Sequence, residues 1–493
     1  MTFIKGNCFR RTPGVLSVFV LFSMFVISAC TTSPATGKKV ISFNTLAEEK
    51  RIGLREHPKI VKQFGGIYKN SKVRHYVNNL GKKLSMVSEL PGIGWTFTVL
   101  NSGEINAFAI PGGFIYVTRG LVALANNEAE LAGVISHEIG HVAALHSSSR
   151  QATGKLAGLG ALAAGILFGR AGSELGSFVG QASVQRYSQS QEFEADSLGV
   201  RYLSRAGYDT RAMASFLDKM WSFSKLENKK LGRPENAVDQ QSILASHPRT
   251  LERVSRAIQK ASSLSSGNKL GRIGYMKMLH GVVYGDDLEQ GIIRGREFIH
   301  PVLKFRFTVP KGFRLTNSPN TVVARNLDGA VIQFDMDMKQ NNSTMTHYLR
   351  NIWASNVSLK SIERIMVNGM EGVTAASEIR RANGFFDLRF VAVRKNSQKI
   401  FRMLFLTPRQ KRSQLSSRLR RTTYSLRTIG DQEAKSIRPL RITVKAVSAG
   451  NTVRSFVSKM SLADFREETF RVLNGLSSME ELRTGQLVKI VTN

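Results

Sequence analysis

Residues 137–141 read His-Glu-Ile-Gly-His, and few five-residue patterns constrain a fold as tightly. On a helix, two histidines four apart project from one face, so both imidazoles reach a single metal ion. The glutamate beside the first then points at the open coordination position. The flanks supply that helix. Asn127 is a good N-cap, Glu130 completes a capping-box-like pair, and Leu131, Val134, Ile135, Val142 and Leu145 form a buried side.

A hydrolytic zinc site needs three protein ligands and an open position for water. His137 and His141 are two of them. A continuation HExxHxxGxxH would place the third ten residues after the first histidine, but positions 144 and 147 are Ala144 and Ser147. The third ligand is therefore expected as a glutamate on a later helix. Glu192-Phe193-Glu194-Ala195-Asp196 fits, because Glu192 and Asp196 share a helix face. Glu192 is the expected ligand, and Asp196 the hydrogen-bond acceptor that fixes a ligand imidazole. Glu194 is expected to point elsewhere. His146 reads as a residue favoured by the dipole at the helix C-terminus. His57, His75, His280, His300 and His347 show no metal-ligand spacing.

Charge and leader restrict the setting. The formal net charge is +34, spread along the chain and densest over 394–421, where Arg394 to Arg421 includes no acid. Such a balance favours polyanions. Lys5, Arg10 and Arg11 precede the apolar run Val15–Ile27, which has signal-peptide length and is too short to span a bilayer. Ile27-Ser28-Ala29-Cys30 resembles a bacterial lipobox, making Cys30 the expected lipidation site and 1–29 a lipoprotein signal peptide. Thr31 in the next position implies the outer membrane under the lipoprotein sorting rule. The only other cysteine, Cys8, leaves with the signal. Location outside the cytoplasm removes nucleic acid as a partner.

Along the mature chain, a polar tether (31–39) leads into helical periodicity from Thr45 to Val87. A strand follows at Trp95–Leu100, then a hairpin over 107–118 around Pro111-Gly112. The Gly/Ala-rich stretch 154–183 reads as a buried or membrane-grazing helix pair. Helices are expected at 191–206, 210–226 and 248–262, with a mobile loop at 227–240. Beyond 270 the texture alternates. Strands fill 301–345 and 362–406, with a helix at Thr344–Val357, and a last unit has strands at Leu440–Val447 and Gln486–Val491 around two short helices. The expected class is multidomain α+β: a mainly helical zinc peptidase domain of the gluzincin type with a small sheet (30–270), a linker (271–300), an antiparallel α+β domain (301–430) and a small βααβ module (438–491).

Two resemblances sharpen this. His137–His141, Asn106-Ala-Phe-Ala-Ile-Pro-Gly-Gly113, Glu192–Asp196 and Ser246-His247-Pro248 with Arg253 are similar to the motifs of metallopeptidase family 48, the HtpX/BepA-like proteases, and lie in that family's order. The resemblance covers about residues 40–260 and implies one zinc ion per chain, with Glu138 as general base. Asn106, Ala107, Phe108 and Ala109 become candidate substrate-binding residues, because a strand there could pair with an extended peptide. His247 resembles the family's regulatory histidine, able to approach the metal or to stabilise an oxyanion. Arg253 joins the candidate catalytic residues as a carboxylate partner near the site. The second resemblance joins Gly450-Asn451-Thr452, Asn474-Gly475-Leu476 and Thr484–Val488 to a LysM module, which implies peptidoglycan as a partner. The chain is thus expected to be a zinc endopeptidase that cleaves misfolded or unassembled envelope proteins, anchored by lipid to the outer membrane and facing the periplasm. The alternative is a non-catalytic or chaperone-like lipoprotein scaffold that links that membrane to peptidoglycan.

Overall fold

The structure, a computed structural model, describes residues 30–152, 187–237, 247, 251–264, 267–381 and 384–493. The signal segment and the stretch 154–183 lie outside the described residues. No described helix is long and apolar enough to cross a membrane.

The segment expected as a free tether is instead a hairpin. Strands β1 (Cys30–Thr32) and β2 (Lys39–Ile41) pair antiparallel, and the connecting turn donates from Ala35 N to the carbonyl of Ala143. Helix α1 (Leu46–Gln63) starts at a capping box in which Thr45 and Glu48 satisfy each other's backbone amides. The helical run expected to Val87 breaks at Gly65 and Gly66, both at positive φ, before α2 (Ser71–Ser85). A Cβ on Gly65 would collide with Gln290, so the break is fixed by close packing as well as by dihedral.

Strands β3 (Thr96–Leu100), β4 (Ala107–Ile110) and β5 (Phe114–Thr118) form a sheet of order β3-β5-β4. The hairpin turns at Pro111-Gly112, with Gly112 at φ 85°. Strand β4 is an edge whose Ala107 and Ala109 are buried, while Phe108 stacks on Tyr116 and meets Phe64. Helix α3 (Arg119–Leu124) leads into α4 (Glu128–Ala143), the central helix, capped by Asn127 and buried at every position from Ala129 onward. Around it lie α5 (Gln189–Arg205), α6 (Ala212–Lys230) and α7 (Leu251–Ser262), with α8 (Arg272–Leu279) behind. Helix α6 runs to Lys230, four residues into the expected loop, because Ser224, Leu226 and Asn228 bury one face there.

The expected linker 271–300 is structured: it holds α8 and strands β6 (Ile292–Arg294) and β7 (Glu297–His300). After β8 (Phe305–Thr308) come β9 (Arg314–Ser318), β10 (Thr321–Arg325), β11 (Val331–Asp337), β12 (Lys360–Val367), β13 (Met370–Arg381), β14 (Gly384–Asn396) and β15 (Lys399–Pro408). Seven of these form an antiparallel sheet, β12-β13-β14-β15-β11-β10-β9. Helix α9 (Arg412–Ser425) covers one face and the helical segment 345–353 the other. Strand β16 (Arg427–Thr428) joins β8, β7 and β6 in a smaller sheet.

The last unit, β17 (Arg441–Ala446), α10 (Val453–Val457), α11 (Arg466–Asn474) and β18 (Leu487–Thr492), has βααβ order with its two strands antiparallel. It is not a bead on the chain. Its Ile442, Phe456, Phe470, Leu473 and Ile490 belong to the same apolar core as α2, α4 and α6, whereas the α+β domain has cores of its own. Tyr284 N donates to Leu440 O and Ile442 N to Val282 O, so the α+β domain leaves and rejoins the molecule at adjacent points.

Lys489 locks this arrangement. It is fully buried, and Nζ donates to the carbonyls of Ala123, Leu124 and Ala125 at 2.8, 2.8 and 2.9 Å. These lie at the C-terminal end of α3, where helix carbonyls lack intrahelical donors and a cation is favoured. Burial beside Lys219 pulls the Lys489 pKa well below the ordinary lysine value. Lys489→Met fills the volume but orphans buried carbonyls, each worth about 1–3 kcal/mol. The variant is expected to lose at least about 2 kcal/mol in urea unfolding on that basis.

His300 makes the α+β domain sensitive to acid. Burial, reinforced by Lys395 and Lys399, lowers its pKa to about 4 from 6.5. The unfolded chain takes up that proton first, so full stability holds above pH 6.5 and is lost as pH falls towards 4. The expected loss is about 3 kcal/mol over that window. His300→Asn should flatten the corresponding pH–stability curve.

Candidate metal centre

Helix α4 presents His137 and His141 on one face, and α5 crosses it closely enough to bring carboxylates over both. The crossing depends on Gly140 and Gly199. A Cβ on Gly140 would press on Ala195 O at 3.1 Å, and one on Gly199 would meet the His137 backbone at 3.1 Å. Helix α5 starts at a capping box formed by Ser188 and Gln191 and places Glu192 one residue later. Glu192 and Asp196, one turn apart, then face the two imidazoles.

The donor atoms converge. His137 Nε2 and His141 Nε2 stand 3.0 Å apart, with Glu192 carboxylate oxygens 3.7 and 3.4 Å from them. His247 joins them: its Nδ1 is 2.9 Å from Glu192 Oε1 and 3.2 Å from His137 Nε2. Ligand atoms of His137, His141, Glu192 and His247 all lie within 4.8 Å of one another, and all four residues are buried. Asp196 Oδ1 is 2.9 Å from His137 Nδ1, though not on a straight N–H···O line. Both oxygens of Glu138 are buried, and no donor among the described residues reaches them. His247 Nε2 is 3.7 Å away.

Electrostatics follow from this crowding. Burial lowers the His141 pKa well below 6.5. For Glu192, burial acts upward, but His247 and His141 outweigh it and hold the carboxylate well below its ordinary value. For His247 burial acts downward, yet Glu192 and Glu138 prevail and its pKa is raised. Arg253 grips two carboxylates at once. It bonds Asp196 through Nε at 2.7 Å and a terminal nitrogen at 2.8 Å, and it sits 2.7 Å from Glu192. The partners of this arginine are therefore residues of the site itself, so it holds the ligand helix in place.

The residues present fit a zinc-type cation. Two imidazole nitrogens and a carboxylate oxygen are the donor set of a three-ligand site. Their ligand atoms lie within 4.8 Å of one another on buried residues, as a shared cation requires.

Three contacts carry no signal in the residue spacing. Tyr187, one residue before the α5 cap, stacks on His141 with centroids 3.9 Å apart. His146 is more than a residue at the end of a dipole, and Glu194, which points away from the ligand atoms as expected, points onto it. His146 Nδ1 lies 2.8 Å from His141 Nδ1, and its Nε2 lies 3.0 Å from Glu194 Oε2. Helix α4 ends at Ala143 and Leu145 adopts φ 59°, which turns the chain back so that His146 faces the helix it has left. A five-residue separation from His141 has no helical meaning, so the contact stays hidden in the pattern. Of the edge-strand residues, Asn106 has a buried side-chain oxygen with no hydrogen-bond partner among the described residues, and Ala107 to Ala109 lie in β4 beside α4.

Residues 71–261 match peptidase family M48. That stretch is an M48 peptidase domain. The chain is 29% identical over 275 residues to the beta-barrel assembly-enhancing protease of Escherichia coli K12, covering 53% of each chain. The protein of the same name from Yersinia pestis is 32% identical over 200 residues, with 38% of this chain and 39% of that one covered. The mitochondrial metalloendopeptidase OMA1 of Schizosaccharomyces pombe is 24% identical over 189 residues, covering 38% and 56%. The chain spans about half the length of the curated relatives it matches.

Within the M48 domain, Arg253→Leu leaves Glu192 and Asp196 buried without their guanidinium. A loss of about 3–5 kcal/mol is expected, as for a broken buried ion pair. Denaturant unfolding of the metal-free chain measures it.

Proposed function

We propose that the chain is a zinc metalloendopeptidase of the bacterial cell envelope, acting on misfolded or unassembled envelope proteins. The observation that carries this is the convergence of His137, His141 and Glu192 beside a buried Glu138 carboxylate with no hydrogen-bond donor among the described residues. Those three residues would hold the ion, which when bound would polarise the scissile carbonyl and acidify a water. Glu138 is then the proton carrier: its free oxygens can accept a proton from the attacking water and return it to the leaving nitrogen. Asp196 orients His137, and Arg253 orients Asp196 and Glu192. Strand β4, an edge among the described strands, offers its backbone to an extended peptide with little demand on sequence.

His247 serves as a brake in this reading. It sits among the ligands with Nε2 3.7 Å from Glu138, and both line a small cavity of about 20 Å³ with Val134, Met213, Phe216 and Met220 among its walls. Release would swing His247 aside. Lipidation at Cys30 would hold the domain at the periplasmic face of the outer membrane. The βααβ module is read as LysM-like and peptidoglycan as its partner. The names of the bacterial relatives agree with an envelope role.

The soluble form beginning after Cys30 should bind about one zinc per chain, as a three-ligand site implies, and cleave an unfolded protein such as casein. Glu138→Gln should retain zinc and lose at least about a hundredfold in rate, the scale of general-base catalysis. Equal cleavage by both forms would exclude the mechanism. His247→Ala should raise activity, and zinc binding with no cleavage in any form would favour the scaffold reading.

A further inference from the structure

The pair His146 and Glu194 lies outside the ligand set, yet it ends on a ligand. Glu194 is a carboxylate, so it can only accept, and the proton in its contact with His146 Nε2 must belong to the histidine. A neutral His146 then has a bare lone pair at Nδ1. In that form the donor in the 2.8 Å contact with His141 Nδ1 is His141. That places the His141 proton on Nδ1 and leaves its Nε2 lone pair facing His137 and Glu192. The opposite tautomer would put a hydrogen where the cation belongs. Three further features hold the relay. Lys38, from the N-terminal hairpin, is 2.7 Å from the other Glu194 oxygen. Tyr187 stacks on the His141 ring. Leu145, in a left-handed conformation that side chains rarely adopt, turns His146 inward, a local strain that persists only where surrounding contacts enforce it.

We infer that His146 and Glu194 are positioning residues that fix the tautomer and orientation of His141 for the metal. The inference rests on the zinc reading, and the test separates the two. Zinc affinity of the full chain is measured by competition with a chelating dye. His146→Phe keeps an aromatic ring but removes the acceptor, and zinc should bind 10–100-fold more weakly, the range for losing a partner behind a ligand histidine. His146→Asn places an amide oxygen near the Nδ1 position and should recover most of that loss. Glu194→Ala should weaken zinc in the same direction by about tenfold at the low end of that range. Circular dichroism of the metal-free variants tracks folding, and if His146→Phe unfolds, Glu194→Ala carries the test. A folded His146→Phe with unchanged affinity overturns the inference, as does an Asn variant no better than Phe, or an unchanged Glu194→Ala where that variant stands in. If the unaltered chain binds no zinc, the metal reading itself has failed.

Discussion

Two buried imidazole nitrogens 3.0 Å apart, with a carboxylate over them, are a polar arrangement that costs free energy to hold out of water. Much of the M48 domain can be understood as what sustains it. The helix repeat brings the histidines together, and two glycines let a second helix come close enough to deliver Glu192 and Asp196. Arg253 restrains those carboxylates from beyond, Asp196 steadies one imidazole, and His146 with Glu194 steadies the other. Without this scaffolding the cluster would relax by turning a side chain away. With it, the stable response is to take up a cation.

Much of this is legible in the residues, and what is not has a physical reason. A period of four on one helix announces itself, so the spacing alone singles out His137, His141, Glu192 and Asp196. Asn127 and the Pro111-Gly112 turn are equally plain, because caps and turns are local chemistry. His146 is opaque for the opposite reason. Its role depends on a chain reversal at Leu145, a residue type that rarely adopts left-handed dihedrals, and on a partner 48 residues away.

The domain plan shows the same limit at larger scale. Alternating strands and a βααβ pattern are visible as textures, and the structure has both. Texture does not say which units share a core. Nothing in the pattern of β18 marks Lys489 as a residue that ends inside another unit, since one lysine in a strand ordinarily reads as its solvent side. The segment after Cys30 is a parallel case. Its small polar residues suggest a tether, but Ala35 and Lys38 dock onto the end of α4 and onto Glu194.

The separation between Lys489 and the carbonyls it holds, 364 to 366 residues, sets a clock for the molecule. The segment that leads into α4 is finished by a side chain that emerges only after the whole α+β excursion. A polypeptide delivered from its N-terminus can pair the two histidines early, but it cannot close the core around them until β18 arrives. Arrival of β18 thus becomes a condition for a fully formed site, a useful property in a molecule whose proposed work is to cut other chains that have failed to fold or assemble.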